Sequence, residues 1–367
     1  MPTLPSSMSG VLLMGHGGLE QLSYRTDLPV PTPAAGEVLL RVRAAAVNNT
    51  DINLRTGWYS NSVIAGSNAV REEAGVPAAP VEDSGWTGAP LDFPRIQGAD
   101  ACGEIVAVGP AVDAARIGER VIVDPVFHPA PGAGGAVAGP LYFGSDCPGA
   151  FADYVCVPSL NAQRIASRLT DAELASFPCS YAAAENMLVR AGLRAGETVL
   201  VTGASGGVGS AAVQLSRRRG SRVIALAATE KAAEVAHLGA ACVLPRDADL
   251  MGVLDRESVD VVVDVVGGGH FAALLQVLRR GGRYAVAGAI AGPIVRLDLR
   301  TVYLKDLRLL GCTIPDSGVF TALVGYIERG EIRPLVARTY PLAAIAEAQH
   351  DFLSKRHTGK IVLLPQT

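Results

Sequence analysis

The sequence predicts an α/β protein in which a doubly wound parallel sheet follows a β-rich first domain. Three observations carry this reading. Residues 199–215 read as a buried strand, a glycine turn and the opening of a helix. Residues 222–231 then supply a second apolar strand after that helix, which closes a βαβ unit. Residues 11–157 alternate short apolar runs with Gly- and Pro-rich turns, the pattern of an antiparallel, barrel-like domain.

The glycine turn, Gly203-Ala204-Ser205-Gly206-Gly207-Val208-Gly209, is where a phosphate belongs. Gly206 and Gly207 let backbone N–H groups approach a pyrophosphate, and Gly209 lets the helix pack close to the strand. The helix start adds its orphan donors and the positive end of its dipole. At the other end Arg217, Arg218 and Arg219 relieve the negative helix terminus, and Gly220 is a natural stop.

Residues 259–266 and 282–288 are continuous apolar runs bounded by glycine, as expected of strands buried on both faces, with a helix over 271–278 between them. A further strand is predicted over 307–314, helices near 319–328 and 342–353, and a closing strand over 360–364 that returns to the first domain. Ahead of the βαβ unit, Thr170 caps a helix over 171–177, and a second helix covers 181–190. In the first domain the strands fall at 11–14, 22–24, 38–47, 105–108, 120–123 and 151–157. Two long Gly- and Ala-rich stretches interrupt it, 59–94 and 132–139, and loops of that length are lids, binding loops or disorder. Trp86 within the first either packs or faces a ligand, and His16 and His128 read as loop residues.

The 367 residues suffice for about two domains. Although 49% of the residues are hydrophobic, no apolar run reaches the roughly 18 to 20 residues of a membrane helix, and residues 1–14 lack a basic signal-type start. A soluble, cytoplasmic protein without a membrane partner is expected. The net charge of −3 and scattered basic residues give no stripe for nucleic acid. Six widely spaced cysteines without a Cys-x-x-Cys pair indicate reduced thiols and no structural metal.

These pieces meet in one pattern. The segments 36–42 (Gly-Glu-Val-Leu-Leu-Arg-Val), 48–59 (Asn-Asn-Thr-Asp-Ile-Asn-Leu-Arg-Thr-Gly-Trp-Tyr), 98–109, 118–121, 195–209, 238–240 and 358–362 together resemble the medium-chain dehydrogenase/reductase superfamily, and within it the zinc-independent quinone oxidoreductase branch. The resemblance implies a GroES-like β-barrel catalytic domain, split as 1–160 and 312–367, around a Rossmann dinucleotide-binding domain over 161–311. It places substrate and nicotinamide in the cleft between them.

Zinc-dependent members carry Cys-His-Thr-Asp, then Gly-His-Glu, then a later Cys. Here the first two places read Asn48-Asn49-Thr50-Asp51 and Gly98-Ala99-Asp100, and only Cys179 remains in register. One thiol and one carboxylate do not make an open three-ligand zinc site, so no metal is expected.

Cofactor choice turns on the end of the second Rossmann strand, where an NAD enzyme places an acid on the ribose 2′-OH. Ala227 and Ala228 stand there. Thr229 offers a hydroxyl, Lys231 matches the family lysine that pairs with a 2′-phosphate, and Arg246 takes the place of a family tyrosine near it. NADPH is therefore the expected cofactor. In the alternative, Lys231 only starts a helix and Glu230 takes the ribose. Gly288 and Lys360 complete the expected cofactor contacts.

Without zinc, hydrogen bonds must stabilise the oxygen of the acceptor, which suits a quinone or an α,β-unsaturated carbonyl. Tyr59 either donates to that oxygen or packs, and Asn48 either orients the carbonyl or nicotinamide ribose or satisfies a turn. Arg55 and Asp51 are expected to form an ion pair along one helix face. Two other classes stay open: an enoyl-thioester reductase, for which Arg71 and Arg95 are the nearest carrier-phosphate partners, and a nucleotide-binding member without turnover. The superfamily also implies a homodimer joined at Rossmann sheet edges, through residues 308–314.

Overall fold

In the computed structural model, which describes residues 4–67, 81–128, 139–316 and 318–366, the chain divides into two units. The first comprises Met1–Val63, Arg71–Cys179 and Pro334–Thr367, the second Ile64–Val70 and Ser180–Arg333. Arg71, the middle of the 59–94 stretch and all of the 132–139 stretch but Gly139 lie outside the described residues.

The first unit is built on β3 (Glu37–Ala46), whose apolar residues Val38, Leu40 and Val42 are all buried. It pairs antiparallel with β5 (Cys102–Val108), β9 (Tyr154–Pro158) and β18 (Lys360–Leu364). Beyond β5 lie β6 (Arg120–Val123) and β10 (Ala162–Arg164), and beyond β18 lies β17 (Val336–Pro341). A three-stranded sheet joins β2 (Leu22–Pro29), β1 (Ser7–Leu13) and β4 (Arg95–Ile96), while β7 (Val126–Phe127) and β8 (Leu141–Tyr142) form a hairpin-sized pair. Val38, Leu40, Ile105, Val121, Phe151 and Ile361 share one core cluster. The closing strand thus returns to the first domain as expected.

The second unit holds a six-stranded sheet in the order β13 (Cys242–Pro245), β12 (Arg222–Ala227), β11 (Thr198–Val201), β14 (Val259–Asp264), β15 (Leu278–Val286), β16 (Arg308–Gly311). Every pairing is parallel, with Leu200 opposite Ile224 on one side and Val262 on the other. Counted from β11, the order is 3-2-1-4-5-6, that of a Rossmann fold, and it reverses direction between β11 and β14. Val199, Leu200, Val201, Val261, Val262 and Val263 are buried, which accounts for the uninterrupted apolar runs of these strands.

The divisions fall at 179/180 and 333/334 rather than 160/161 and 311/312. Local packing explains both. The helix Asp171–Leu174 packs on β3, β5, β17 and β18. The Tyr181 hydroxyl donates to the Arg333 carbonyl at 2.6 Å, and the Arg333 N–H donates to Gln214 at 2.8 Å, which keeps the residues after β16 with the second unit.

Candidate functional site

In the second unit, β11 ends at Val201 and the chain turns into the helix Gly207–Arg218. Gly203 has φ +57°, and a Cβ on Gly209 would lie 2.2 Å from the Gly203 carbonyl oxygen. The first position needs left-handed backbone and the second brings helix and turn into backbone contact, so both require glycine. Ala204 is buried beneath the turn, Ser205, Gly207 and Val208 are half-buried, and Gly206 is exposed as the N-cap. Exposed backbone at a helix start, at the carboxyl end of a strand beside a switch point, has the geometry to receive a phosphate group.

The end of β12 carries no carboxylate: Ala227 is its last residue, and a short 3-10 turn, Thr229–Lys231, follows. Thr229 and Arg246 are exposed, while Lys231 is buried. Burial lowers the Lys231 pKa, Glu230 and Glu234 raise it, and the charge of Arg246 lowers it. The two cations are therefore close enough to sense each other. A Cβ on Gly288 would lie 2.9 Å from the Val265 carbonyl oxygen, so this glycine lets the turn after β15 close on the turn after β14.

In the first unit a polar cluster gathers where the helix Asn49–Thr56 begins. The Asn48 N–H donates to Asp51 at 2.7 Å and the Gly98 N–H to the other Asp51 oxygen at 3.2 Å. Burial nevertheless pushes the Asp51 carboxyl up to about 7, against the pull of the Asn48 N–H and the Lys360 charge. Arg55 does not pair with Asp51. Its guanidinium donates to the Gly17 carbonyl at 2.7 Å and to Gln349 at 2.9 Å, because the Asp51 carboxylate turns back to cap its own helix.

Asp100 and Lys360 are both buried, with Nζ 2.8 Å from Oδ2. Asn48 bridges them: its Nδ2 donates to Asp100 Oδ2 at 2.8 Å and its Oδ1 accepts from Lys360. The other Asp100 oxygen accepts the Cys179 N–H at 2.6 Å. Asn48 and Lys360, read separately from the sequence as substrate and cofactor contacts, therefore belong to one network. Tyr59 donates to Thr50 Oγ1 at 3.1 Å, and burial raises its pKa, so it stays protonated.

Sequence reasoning missed Tyr142, whose hydroxyl lies 3.0 Å from the Cys179 sulfur and whose ring stacks on Trp86 at 4.4 Å. Burial pushes the Cys179 thiol up to about 12 and the Tyr142 phenol well above its usual value. Trp86 thus packs. His16 is held between the Leu54 carbonyl at 2.8 Å and Ser84 at 2.7 Å, a structural role in a turn. All six cysteines are free.

A Rossmann sheet with a glycine turn after its first strand, in a chain that also folds a β-domain with a buried polar cluster, points to an oxidoreductase that uses a nicotinamide nucleotide. Residues 34–167 match the alcohol dehydrogenase GroES-like domain, residues 238–363 the zinc-binding dehydrogenase family, and residues 199–276 the NAD dependent epimerase/dehydratase family. Among solved structures, a candidate alcohol dehydrogenase of Sinorhizobium meliloti is 46% identical, covers 100% of this chain and 99% of its own, and superposes with a TM-score of 0.87. Human quinone oxidoreductase is 26% identical over 99% of this chain and 100% of its own length. The acryloyl-coenzyme A reductase of Metallosphaera sedula is 28% identical over 97% and 99%. The chain belongs to the medium-chain dehydrogenase/reductase superfamily.

The zinc-binding family name calls for a test of the donor set. Asn48, Ala99 and Cys179 stand in the three ligand places, and only Cys179 has an atom that zinc favours. The nearby Asp100 carboxylate is already engaged by an ammonium, an amide and a backbone N–H. Among the described residues no group of three or more His, Cys, Asp or Glu is arranged to hold a metal. These residues do not fit a zinc ion. No helix among the described residues is long and apolar enough to cross a membrane.

Proposed function

We propose that this protein is an NADPH-dependent, zinc-independent reductase of quinones or α,β-unsaturated carbonyl compounds. The observation that carries the reading is the replaced ligand set: an amide, a methyl group and one thiol where zinc dehydrogenases hold their metal, beside a carboxylate neutralised by Lys360. Without a Lewis acid, the acceptor must spread its developing negative charge over a conjugated oxygen stabilised by hydrogen bonds.

The bound nicotinamide supplies the hydride. Tyr59, protonated at neutral pH, donates a hydrogen bond to the substrate oxygen in place of the one it now gives Thr50. Asn48 is a positioning residue, since its amide holds Lys360 and Asp100 together. The cations Lys231 and Arg246, with Thr229, support preference for a 2′-phosphate over a bare ribose.

The similarity to an acryloyl-coenzyme A reductase favours an enoyl thioester as the second reading. Arg95, one of its two candidate phosphate partners, lies 3.8 Å from Asp92. We also propose a homodimer through the β16 edge, where Leu309 is exposed.

The test is NADPH oxidation across quinones, enones and enoyl thioesters, with and without chelator. Turnover of a quinone or enone that survives chelation is expected. Activity abolished by chelation, or nucleotide binding without turnover of any acceptor, overturns the reading. Tyr59→Phe should lower kcat/KM about 10- to 100-fold, at or below the usual range for losing a positioned proton donor, with the NADPH Kd unchanged.

A further inference from the structure

Asp264 ends β14, at the carboxyl edge of the Rossmann sheet, and it is fully buried. Its carboxylate collects donors from three places. From the β11 side, Thr202, the residue before Gly203, donates its hydroxyl to Oδ1 at 2.6 Å. From the turn after β14, the Val266 N–H donates to Oδ1 at 2.8 Å and the Gly267 N–H at 3.1 Å. From β15, the Tyr284 hydroxyl donates to Oδ2. Burial, with the facing carboxylate, raises the Tyr284 pKa far above the ordinary value, so this phenol remains a donor.

All of these partners are neutral, so the carboxylate is held by converging dipoles rather than by a counter-ion. The Thr202 oxygen also accepts the Val265 N–H at 3.1 Å, and the Asp264 carbonyl accepts the Ala287 N–H at 3.2 Å. The glycine turn after β11, the turn after β14 and the start of the Gly288 turn are therefore fastened to one residue, the first two through its carboxylate and the third through its backbone carbonyl.

We infer that Asp264 is a positioning residue for the nucleotide: with its other oxygen held by Tyr284, it fixes the glycine turn through Thr202 at the spacing that the pyrophosphate requires. The inference rests on the reading that this turn holds a nicotinamide nucleotide, and not on which acceptor is reduced. Asn at position 264 would remove the charge and place an N–H₂ group among donors, leaving the turn free to shift.

Three variants test this: Asp264→Asn, Thr202→Val and Thr202→Ser. Each is checked for fold by circular dichroism and for thermal stability, and its Kd for NADPH and for NADH is measured alongside KM and kcat. Asp264→Asn and Thr202→Val should raise the Kd and KM for the nucleotide about tenfold or more, with kcat at saturating nucleotide little changed, and Thr202→Ser should restore tight binding. If Asp264→Asn does not fold, the Thr202 pair carries the comparison. Nucleotide affinity within twofold of wild type in Thr202→Val, or a loss confined to kcat, overturns the inference. Failure of the wild-type protein to bind either nucleotide would instead overturn the functional reading beneath it.

Discussion

The ammonium of Lys360 lies 2.8 Å from the carboxylate of Asp100, both are buried, and the amide of Asn48 bonds to each. An ion pair of this kind does not by itself make a stable protein, because desolvation offsets its attraction. Its rupture is another matter, since the abandoned charge stays in a medium that cannot solvate it.

Lys360→Met should accordingly destabilise the protein by about 3–5 kcal/mol, through the uncompensated Asp100 carboxylate. The double variant Asp100→Asn/Lys360→Met should recover most of that loss. Urea unfolding of the three proteins decides it. A single variant within about 1 kcal/mol of wild type would show that the pair does not hold the cluster.

The contrast between strands explains what the sequence could and could not convey. β11, β12 and β14 are largely buried on both faces and appear as apolar runs, while β15 shows such a run only in its last residues, Tyr284-Ala-Val. β13 and β17 escaped notice because they lie at sheet ends with largely half-exposed residues, Cys-Val-Leu-Pro and Val-Ala-Arg-Thr-Tyr-Pro, so neither alternation nor a continuous run marks them. The glycine turn between β11 and its helix was legible because its requirements are local. Asp100–Lys360 and Thr202–Asp264–Tyr284 were not, because each joins residues far apart in sequence whose types are common elsewhere. The expected Arg55–Asp51 pair failed for a related reason: helical spacing permits a contact, but capping of the helix start offered the carboxylate a nearer donor.

Asp51 makes stability depend on pH in a direction opposite to most carboxylates. Its folded-state pKa is raised to about 7 by burial, above the usual 3.8. The unfolded chain releases this proton first, so the contribution of Asp51 is fully present below about pH 4 and is lost as pH rises through about 7. The stability difference between wild type and Asp51→Asn should therefore shift in favour of the variant between pH 5 and pH 8. Urea midpoints at those two pH values measure it, and a difference that stays constant would show that Asp51 is ionised throughout.

At the phosphate turn, Gly209→Ala places a methyl group 2.2 Å from a backbone oxygen, which no rotamer relieves. The helix must move away from the turn, at a cost of about 1–3 kcal/mol and with loss of nucleotide binding. Gly206→Ala has its nearest neighbour at 3.4 Å and a φ of −80° that alanine adopts, so its thermal midpoint should stay near that of wild type. Equal stability of the two variants would mean that helix and turn are not in backbone contact.

The proposed preference for NADPH is argued from charge at the end of β12, which makes it separable from the rest of nucleotide binding. The charge of Arg246 lowers the Lys231 pKa, and a 2′-phosphate held by both cations would relieve that repulsion. NADH differs from NADPH only in lacking this group. Lys231→Ala and Arg246→Ala should each weaken NADPH binding about tenfold, the order of one charge-assisted hydrogen bond, and leave the NADH Kd within about twofold. The effect on NADPH should also shrink with added salt, more so for the exposed Arg246 than for the buried Lys231. Parallel titrations of both nucleotides at two ionic strengths distinguish the outcomes. If NADH binds more tightly than NADPH in the wild type, Glu230 takes the ribose hydroxyls and the two cations serve only the helix that follows.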